Sequence, residues 1–246
     1  MGFRASFTAA KSSSSGPYNP ITAADTAEIW LSAPLGLGNI NTWTGSKAGV
    51  ALGGGTVNVV DSSGHYVEMD GWTTPLHGPP GSLLTGDTGV CVVARMFVRT
   101  TGSTMVIMSQ GTNITVPSVF SAGVGFNGGG RDFWSGGGQG SGGDYGFADT
   151  APGTIVVPTG FRTVTWRLDT AVPSCVAEII VDGASLAVTA HHSGCLVGNF
   201  GTDDLYLGAQ AGGTLPLAGG MRAIAIMHGA SPSHLADMQA YMTALG

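Results

Sequence analysis

The stretch VCVVARMFVR, residues 90–99, indicates the fold because its apolar side chains alternate with a period of two. One face carries Val90, Val92, Ala94, Met96 and Val98. The other face carries Cys91, Val93, Arg95 and Phe97. Successive side chains of a β-strand point to opposite faces, so the pattern predicts a long strand with one face in a core.

Similar short segments follow along the chain, separated by turn residues. They are STMVIMSQ (103–110), SVFSAGVGF (118–126), FRTVTWRLD (161–169), CVAEIIVDG (175–183), ASLAVTA (184–190), DDLYLGA (203–209) and GGMRAIAIMHG (219–229). In FRTVTWRLD, the side chains of Val164, Trp166 and Leu168 face one way. Val-Asp-Gly at 181–183 is typical of a hairpin turn, because Asp-Gly accepts positive φ. These strand-like segments follow one another along the chain, and no linker separates two domains. We therefore predict two packed antiparallel sheets around one core.

The composition supports an all-β domain. Of 246 residues, 42 are glycine, more than twice the roughly 7% of average usage. The strong helix formers Glu and Lys number only three and two. One helix is predicted near the end of the chain, with Ser231 as N-cap and Pro232 as its first residue. Its apolar face consists of Leu235, Met238, Met242 and Leu245.

Charge and hydropathy argue against several classes of partner. The formal net charge is −6 and no segment collects Lys or Arg, which argues against nucleic-acid binding. No run of about 18 apolar residues is present, so we expect no membrane span. Residues 1–15 are Ser-rich and lack the apolar core of a secretory signal. The three cysteines, Cys91, Cys175 and Cys195, are expected to be buried thiols in a reducing compartment, with a Cys175–Cys195 disulfide as the alternative.

The run FNGGGRDFWSGGGQGSGGDYG, residues 126–146, is unusually rich in glycine. It contains matches to G-x-G-x-x-G, but no amphipathic helix follows to hold a phosphate, so nucleotide binding is not expected. Its aromatic residues also distinguish it from a flexible linker. We expect Phe126 to end one strand, RDFW (131–134) to form a short second strand, and SGGGQGSGGDYG (135–146) to be a loop that makes a contact surface.

Aromatic and acidic residues in and near this run are the predicted site. A loop tryptophan can stack on a sugar while Asp binds hydroxyls, it can anchor an interface, or it can fold back onto the core. These three alternatives remain open for Trp72 and Trp134. The predicted carbohydrate-binding or interface residues are Trp72, Asp132, Trp134, Asp144 and Tyr145.

Two further motifs are expected to be structural. HHSGC (191–195) offers nitrogen and sulfur donors without a second ligand pair at a standard spacing, which favours a turn over a metal site. Asp203 and Asp204 could help to bind a structural calcium ion, although adjacent acids are more often a solvated turn. We therefore expect no cofactor.

Several stretches, taken in order, resemble a concanavalin A-like, laminin-G-like jelly-roll domain. The closing ones are GFRTVTWRLD (160–169), VAEIIVDGASLAV (176–188) and LYLGAQAGGTLPLAGGMRAIAIMHGASPSHLADMQAYM (205–242). The opening ones are IWLSAPLGL (29–37), NTWTG (41–45) and YVEMDGW (66–72), with Trp30 and Trp43 in the first strands. The resemblance implies an all-β, two-sheet antiparallel jelly-roll sandwich over residues 28–246, preceded by an extended N-terminal arm over residues 1–27.

Domains of this family bind glycans, build extracellular or viral surfaces or, in a subset, hydrolyse polysaccharides, so the fold does not determine the function. The hydrolases carry a Glu-x-Asp-x-x-Glu pattern. Glu68 and Asp70 match its first two positions, but Thr73 stands at the third. A strand that ends in an Asp-Gly turn is therefore favoured, and no catalytic residue is predicted.

The resemblance extends to standalone domains of tailed-bacteriophage virion proteins. The first prediction is accordingly a non-enzymatic structural protein of a phage-like virion, either a capsid decoration or a tail-associated protein. The arm would dock onto other virion proteins, and the chain would assemble in the host cytoplasm and then lie on the virion surface, with a homo-oligomer as a further option. The alternative is a glycan-binding, lectin-like module, followed by a polysaccharide hydrolase.

Overall fold

A computed structural model describes residues 17–61, 64–70, 75–99, 104–111, 119–125, 132–139, 145–156, 158–195 and 197–246. Within these ranges the regular structure is mainly β-strand, with one α-helix. Most of the predicted arm, residues 1–16, lies outside the described residues, as do Trp72, Thr73 and Asp144. No helix in the described ranges has the length and apolar character needed to cross a membrane.

The strands are numbered in chain order. They are β1 (Thr26–Leu31), β2 (Gly38–Ile40), β3 (Trp43–Thr44), β4 (Ala51–Leu52), β5 (Val57–Asp61), β6 (His65–Asp70), β7 (Leu76–Gly78), β8 (Gly89–Val98), β9 (Met105–Gln110), β10 (Val119–Gly125), β11 (Phe133–Gln139), β12 (Gly146–Thr150), β13 (Arg162–Asp169), β14 (Val176–Val181), β15 (Ala184–Leu186), β16 (Val188–Ser193), β17 (Leu205–Leu207) and β18 (Ala218–His228). A 3₁₀ turn spans Ala211–Gly213, and the helix α1 spans Leu235–Ala244.

The strands of the described ranges form two large antiparallel sheets. The nine-stranded sheet has the order β15-β14-β13-β8-β18-β6-β5-β2, with β1 also paired to β18. The seven-stranded sheet has the order β16-β12-β11-β10-β9-β17-β7. A small sheet joins β3 to β4. Neighbours in these sheets are often distant in sequence, as expected for a sandwich rather than a simple meander.

The main core lies between the two large sheets. The predicted inward faces of β8 and β13 contribute to it, including Met96, Trp166 and Leu168, all fully buried. Trp30 and Trp43 are also buried there, and each indole N–H donates to a backbone carbonyl, as buried polar groups require. The predicted two-sheet antiparallel sandwich with one C-terminal helix is therefore confirmed.

A second, smaller core lies on the outer face of the nine-stranded sheet, where α1 packs. Cys91 and Val93 from the other face of β8 meet Met238 and Met242 of the helix. The predicted apolar face of the helix is correct, but its start is not. The helix begins at Leu235 rather than Pro232. The Ser231 hydroxyl accepts a hydrogen bond from the Arg167 side chain and does not cap the helix.

The glycine-rich segment forms more strand than the sequence suggests. β11 continues through Ser135, Gly136 and Gly137 and pairs with β10 on one side and β12 on the other, so these residues are not a loop. A Cβ on Gly136 would lie 3.2 Å from Cδ1 of Trp166, in the opposite sheet. Glycine is therefore favoured here because the two sheets approach closely, not because the chain turns.

The cysteine pairing differs from the favoured expectation of three free thiols. Cys175 and Cys195 form a disulfide with their Cα atoms 5.5 Å apart, within the usual geometric range. Cys91 is a buried free cysteine. The disulfide joins the start of β14, in the nine-stranded sheet, to the segment that follows β16, in the seven-stranded sheet. It therefore links the two sheets at one edge of the sandwich.

Candidate functional site

The candidate site is the outer face of the seven-stranded sheet. Strand pairing places one row of residues across all seven strands on this face: His77, Tyr206, Ser109, Ser121, Gly137, Phe147 and His192. A second row runs Val106, Gly123, Ser135, Asp149 and Thr189. Small residues occupy the centre of both rows, and aromatic rings stand at the ends of the first. The strands provide an open surface because most of its central side chains are short.

A groove with a volume of about 540 Å³ follows this surface. Gly123, Ser135 and Gly137 contribute to its floor, and Phe133, Phe147 and Asp149 also line it. Phe133 lies across the floor rather than beside it, because a Cβ on Gly125 would stand 1.9 Å from the phenyl ring. Glycine at position 125 therefore makes room for that ring.

Asp149 is the acidic group of the groove. Its side chain is 10% exposed, and its Oδ2 atom lies 3.1 Å from Nε2 of His191. Its Oδ1 atom is buried without a hydrogen bond of standard geometry. Burial raises the pKa of Asp149 above its usual value, although the Ser135 hydroxyl and His191 act in the opposite direction. Among the described residues that line the groove, Asp149 is the only one with a formal charge.

An aromatic cluster supports one wall of the groove. The Phe147 ring stacks on Tyr145, with centroids 6.1 Å apart and planes 6° apart. His191 stacks on Phe147 at 5.3 Å, and His192 tilts against it at 5.2 Å. The Tyr145 hydroxyl lies 3.2 Å from Nε2 of His192. These contacts hold the Phe147 ring in one orientation beside Asp149, so this part of the groove wall is preorganised.

Phe147 and Phe133 stand on opposite sides of a polar pair. Ser135 and Asp149 are direct cross-strand partners, Phe147 lies two residues before Asp149, and Phe133 lies two residues before Ser135. Because β11 and β12 are antiparallel, these two phenylalanines extend in opposite directions from the Ser135–Asp149 pair. The arrangement is a hydroxyl and a carboxylate between two aromatic rings.

The structure separates the residues that the sequence grouped as a site. Trp134 is 2% exposed and packs edge to face on Trp166 at 5.8 Å, so it folds onto the core, one of the three alternatives. Asp132 is fully buried and is not at the surface. Tyr145 supports the groove wall through Phe147. Trp72 and Asp144 lie outside the described residues.

The other motifs do not add to the groove. Glu68 pairs with Arg99 on the nine-stranded sheet, away from the groove, and only the backbone of Asp70 is described. HHSGC does not form the expected turn: His191 and His192 lie in β16, and Cys195 is in the disulfide. No group of three or more His, Cys, Asp or Glu side chains in the described ranges is arranged to hold a metal ion. Asp204 lies 3.5 Å from Nδ1 of His77.

Sequence reasoning missed Phe133, Phe147, Asp149 and His191. A signal was present in GFADT (146–150), where Phe147 and Asp149 alternate with small residues and so share one face of a strand. The partners on β11 and β16 are brought beside them only by strand pairing.

The fold and the groove together define a jelly-roll-like β-sandwich with an open, ligand-sized depression on one sheet. Sequence comparison with models of protein families finds no match, and neither does comparison with characterised proteins. Solved structures do match, but at 12–13% sequence identity, so the similarity is one of fold.

Two solved structures illustrate that similarity. Domain 4 of AbnA, a GH43 extracellular arabinanase from Geobacillus stearothermophilus solved with arabinotriose, matches with a TM-score of 0.55 and 13% identity, over 90% of this chain and 98% of the domain. The Trypanosoma rangeli sialidase in complex with the inhibitor DANA matches with a TM-score of 0.60 and 12% identity, over 95% of this chain. This chain spans 36% of the sialidase.

Proposed function

We propose that this protein is a carbohydrate-binding module and that its ligand lies in the groove of the seven-stranded sheet. The observation that carries the proposal is the arrangement of Ser135 and Asp149 between the rings of Phe133 and Phe147. Sugar rings present apolar faces that pack on aromatic rings and hydroxyls that bond to carboxylates and hydroxyl groups. Binding sites commonly combine apolar surface with a few well-placed polar groups.

A binding role accounts for the groove better than hydrolysis. Glycoside hydrolysis usually requires two carboxylates about 5–9.5 Å apart. Among the described residues lining the groove, Asp149 is the one carboxylate, and Glu68 is on the other sheet. We therefore propose that the protein is not an enzyme.

A glycan array followed by calorimetry on the purified protein tests this function. The array should include arabinose oligomers, since arabinotriose accompanies one structural neighbour. Phe147→Ala should weaken binding roughly tenfold, because a well-placed aromatic contact contributes about 1–2 kcal/mol. Phe161→Ala, which removes a half-buried ring near β13, is the matched control and should bind like the wild type. The proposal fails if no glycan on the array binds.

The Cys175–Cys195 disulfide bears on the compartment in which this protein acts. Disulfides persist in oxidising compartments and are rare in reducing ones. The Cys175–Cys195 bridge therefore favours an extracellular or periplasmic site of action over the host cytoplasm. A glycan-binding module would meet its ligands there.

The structural role on a phage-like virion stays a prediction, as do docking through the N-terminal arm and a homo-oligomer. The virion role is compatible with glycan binding, since a particle surface can hold host sugars. Deleting residues 2–20 tests docking: the truncated protein should stay folded and should no longer join a particle. Unchanged incorporation would contradict it.

A further inference from the structure

We propose that Asp149 is the specificity-determining residue of the groove and that the ligand carries a protonated amine, as a 2-amino sugar does. This inference rests on the proposed function, because it names the class of glycan that the same groove prefers.

The charge of the described lining is negative. Asp149 supplies a carboxylate, and the described lining residues include no Lys or Arg. Proteins commonly bind anionic groups through Arg or Lys, which make charge-assisted hydrogen bonds to carboxylates and phosphates. The described part of the groove therefore offers poor complementarity to acidic sugars and good complementarity to a cation.

Asp149 presents a partly exposed carboxylate to the groove. His191 Nε2 lies 3.1 Å from its Oδ2 atom, the Ser135 hydroxyl donates to the carboxylate, and the side chain stays 10% exposed among the residues that line the groove. A charged donor from a ligand makes a stronger hydrogen bond to such a carboxylate than a neutral donor does. An ammonium group has three donors and a positive charge, so it offers a carboxylate more than a neutral hydroxyl does.

The neighbouring rings suit the same ligand. Phe147, two residues from Asp149 on the same face of β12, and Phe133 on β11 both present π-systems in the groove. A cation near an aromatic ring face gains electrostatic attraction, and this gain is larger where water is partly excluded. An amino sugar can place its ring on a phenyl face and its ammonium group at the carboxylate. A lysine side chain has the cation without the flat ring, so these two aromatic surfaces favour the sugar.

Calorimetry with two oligomers of equal length provides the test. One is an oligomer of glucosamine, and the other is the matching oligomer of N-acetylglucosamine, in which acetylation removes the charge. At a pH where the amine is protonated, the wild type should bind the glucosamine oligomer about tenfold more tightly, as expected for a charge-assisted hydrogen bond.

Variants then assign the preference to Asp149. Asp149→Asn keeps the shape and removes the charge, so it should bind the two oligomers equally. Asp61→Asn, at an exposed position on β5 in the other sheet, removes the same net charge and should retain the tenfold preference. Circular dichroism of both variants should match the wild type.

Each other outcome overturns the inference in a distinguishable way. Equal binding of both oligomers, or a preference that survives in Asp149→Asn, refutes the role of Asp149 and leaves glycan binding standing. Binding of a lysine-rich peptide without binding of the glucosamine oligomer refutes the amino sugar as ligand. Tight binding of neutral glycans alone, such as arabinotriose, refutes the amine but supports the proposed function. If no glycan binds, both proposals fail.

Discussion

At the scale of single residues, Glu28 shows how a buried charge organises this fold. Its side chain is fully buried in β1, and its carboxylate accepts hydrogen bonds from the backbone N–H groups of Ile29, Lys47, Ala48 and Val50, at 2.7–3.0 Å. Three of these donors belong to the connection between β3 and β4. Buried backbone N–H groups are nearly always paired with an acceptor. Here the Glu28 carboxylate is that acceptor, in place of a neighbouring strand.

Replacing Glu28 should therefore be costly. Glu28→Ala leaves these buried N–H donors without an acceptor, and we expect the free energy of unfolding to fall by about 3 kcal/mol. Glu68→Ala is the matched control, because the partly exposed Glu68–Arg99 pair should contribute less than about 1 kcal/mol. Urea denaturation monitored by tryptophan fluorescence measures both. Equal losses in the two variants would contradict the assignment.

At the scale of elements, α1 depends on a residue far away in sequence. The backbone N–H of His234 donates to Oδ2 of Asp25 at 2.8 Å, and the Ser233 hydroxyl donates to the same atom at 3.1 Å. Asp25 precedes β1, so the cap of the helix comes from the other end of the domain. Burial alone would raise the pKa of Asp25, but the hydrogen bonds from His234 and Ser233 outweigh it and lower the pKa.

This cap should make the docking of α1 sensitive to acid. Asp25→Ala should lower the free energy of unfolding by about 1 kcal/mol at pH 7. Because the folded pKa lies below the unfolded value of about 3.9, the contribution is complete above that pH and is lost as the pH falls through the folded pKa. Urea titrations at several pH values should show the difference between wild type and variant shrinking below about pH 4. A difference that stays constant with pH would exclude the carboxylate as the cause.

At the scale of the whole molecule, the disulfide links the two sheets at the edge next to the candidate site. It closes a loop between positions 20 apart, and β16, which carries His191 and His192, lies within that loop. The double variant Cys175→Ser and Cys195→Ser should lose about 3 kcal/mol of stability, chiefly because its unfolded chain is less constrained. Thermal and urea unfolding measure the loss.

Reducing agent provides the control for this prediction. The reduced wild type should unfold like the double variant, whereas the double variant should not respond to the reagent. Burial raises the pKa of the Cys91 thiol to about 12, so this cysteine stays protonated and unreactive while the protein is folded. A wild type whose stability does not change after complete reduction would show that the bridge adds nothing to the fold.

The sequence by itself determined the all-β class of this protein and the packing faces of its most regular elements. Alternation in β8 and β13 and the helical spacing of Met238 and Met242 gave correct inward faces, because these patterns depend on local geometry and burial alone. The Asp-Gly hairpin was also predictable, since Asp182 and Gly183 both adopt positive φ, at 48° and 81°.

Only the tertiary structure decided the site. The glycine-rich strand β11 has little apolar alternation, so its sequence does not indicate which face is inward. A shift of its pairing register by one residue would move every side chain to the opposite face. Trp134 therefore entered the core, while Phe133 and Ser135 reached the groove. The pairing of β11, β12 and β16 brought Ser135, Asp149 and His191 together from three separate stretches of sequence. Strand register, which depends on contacts across the whole sheet, is the physical reason that the site was not visible in the sequence.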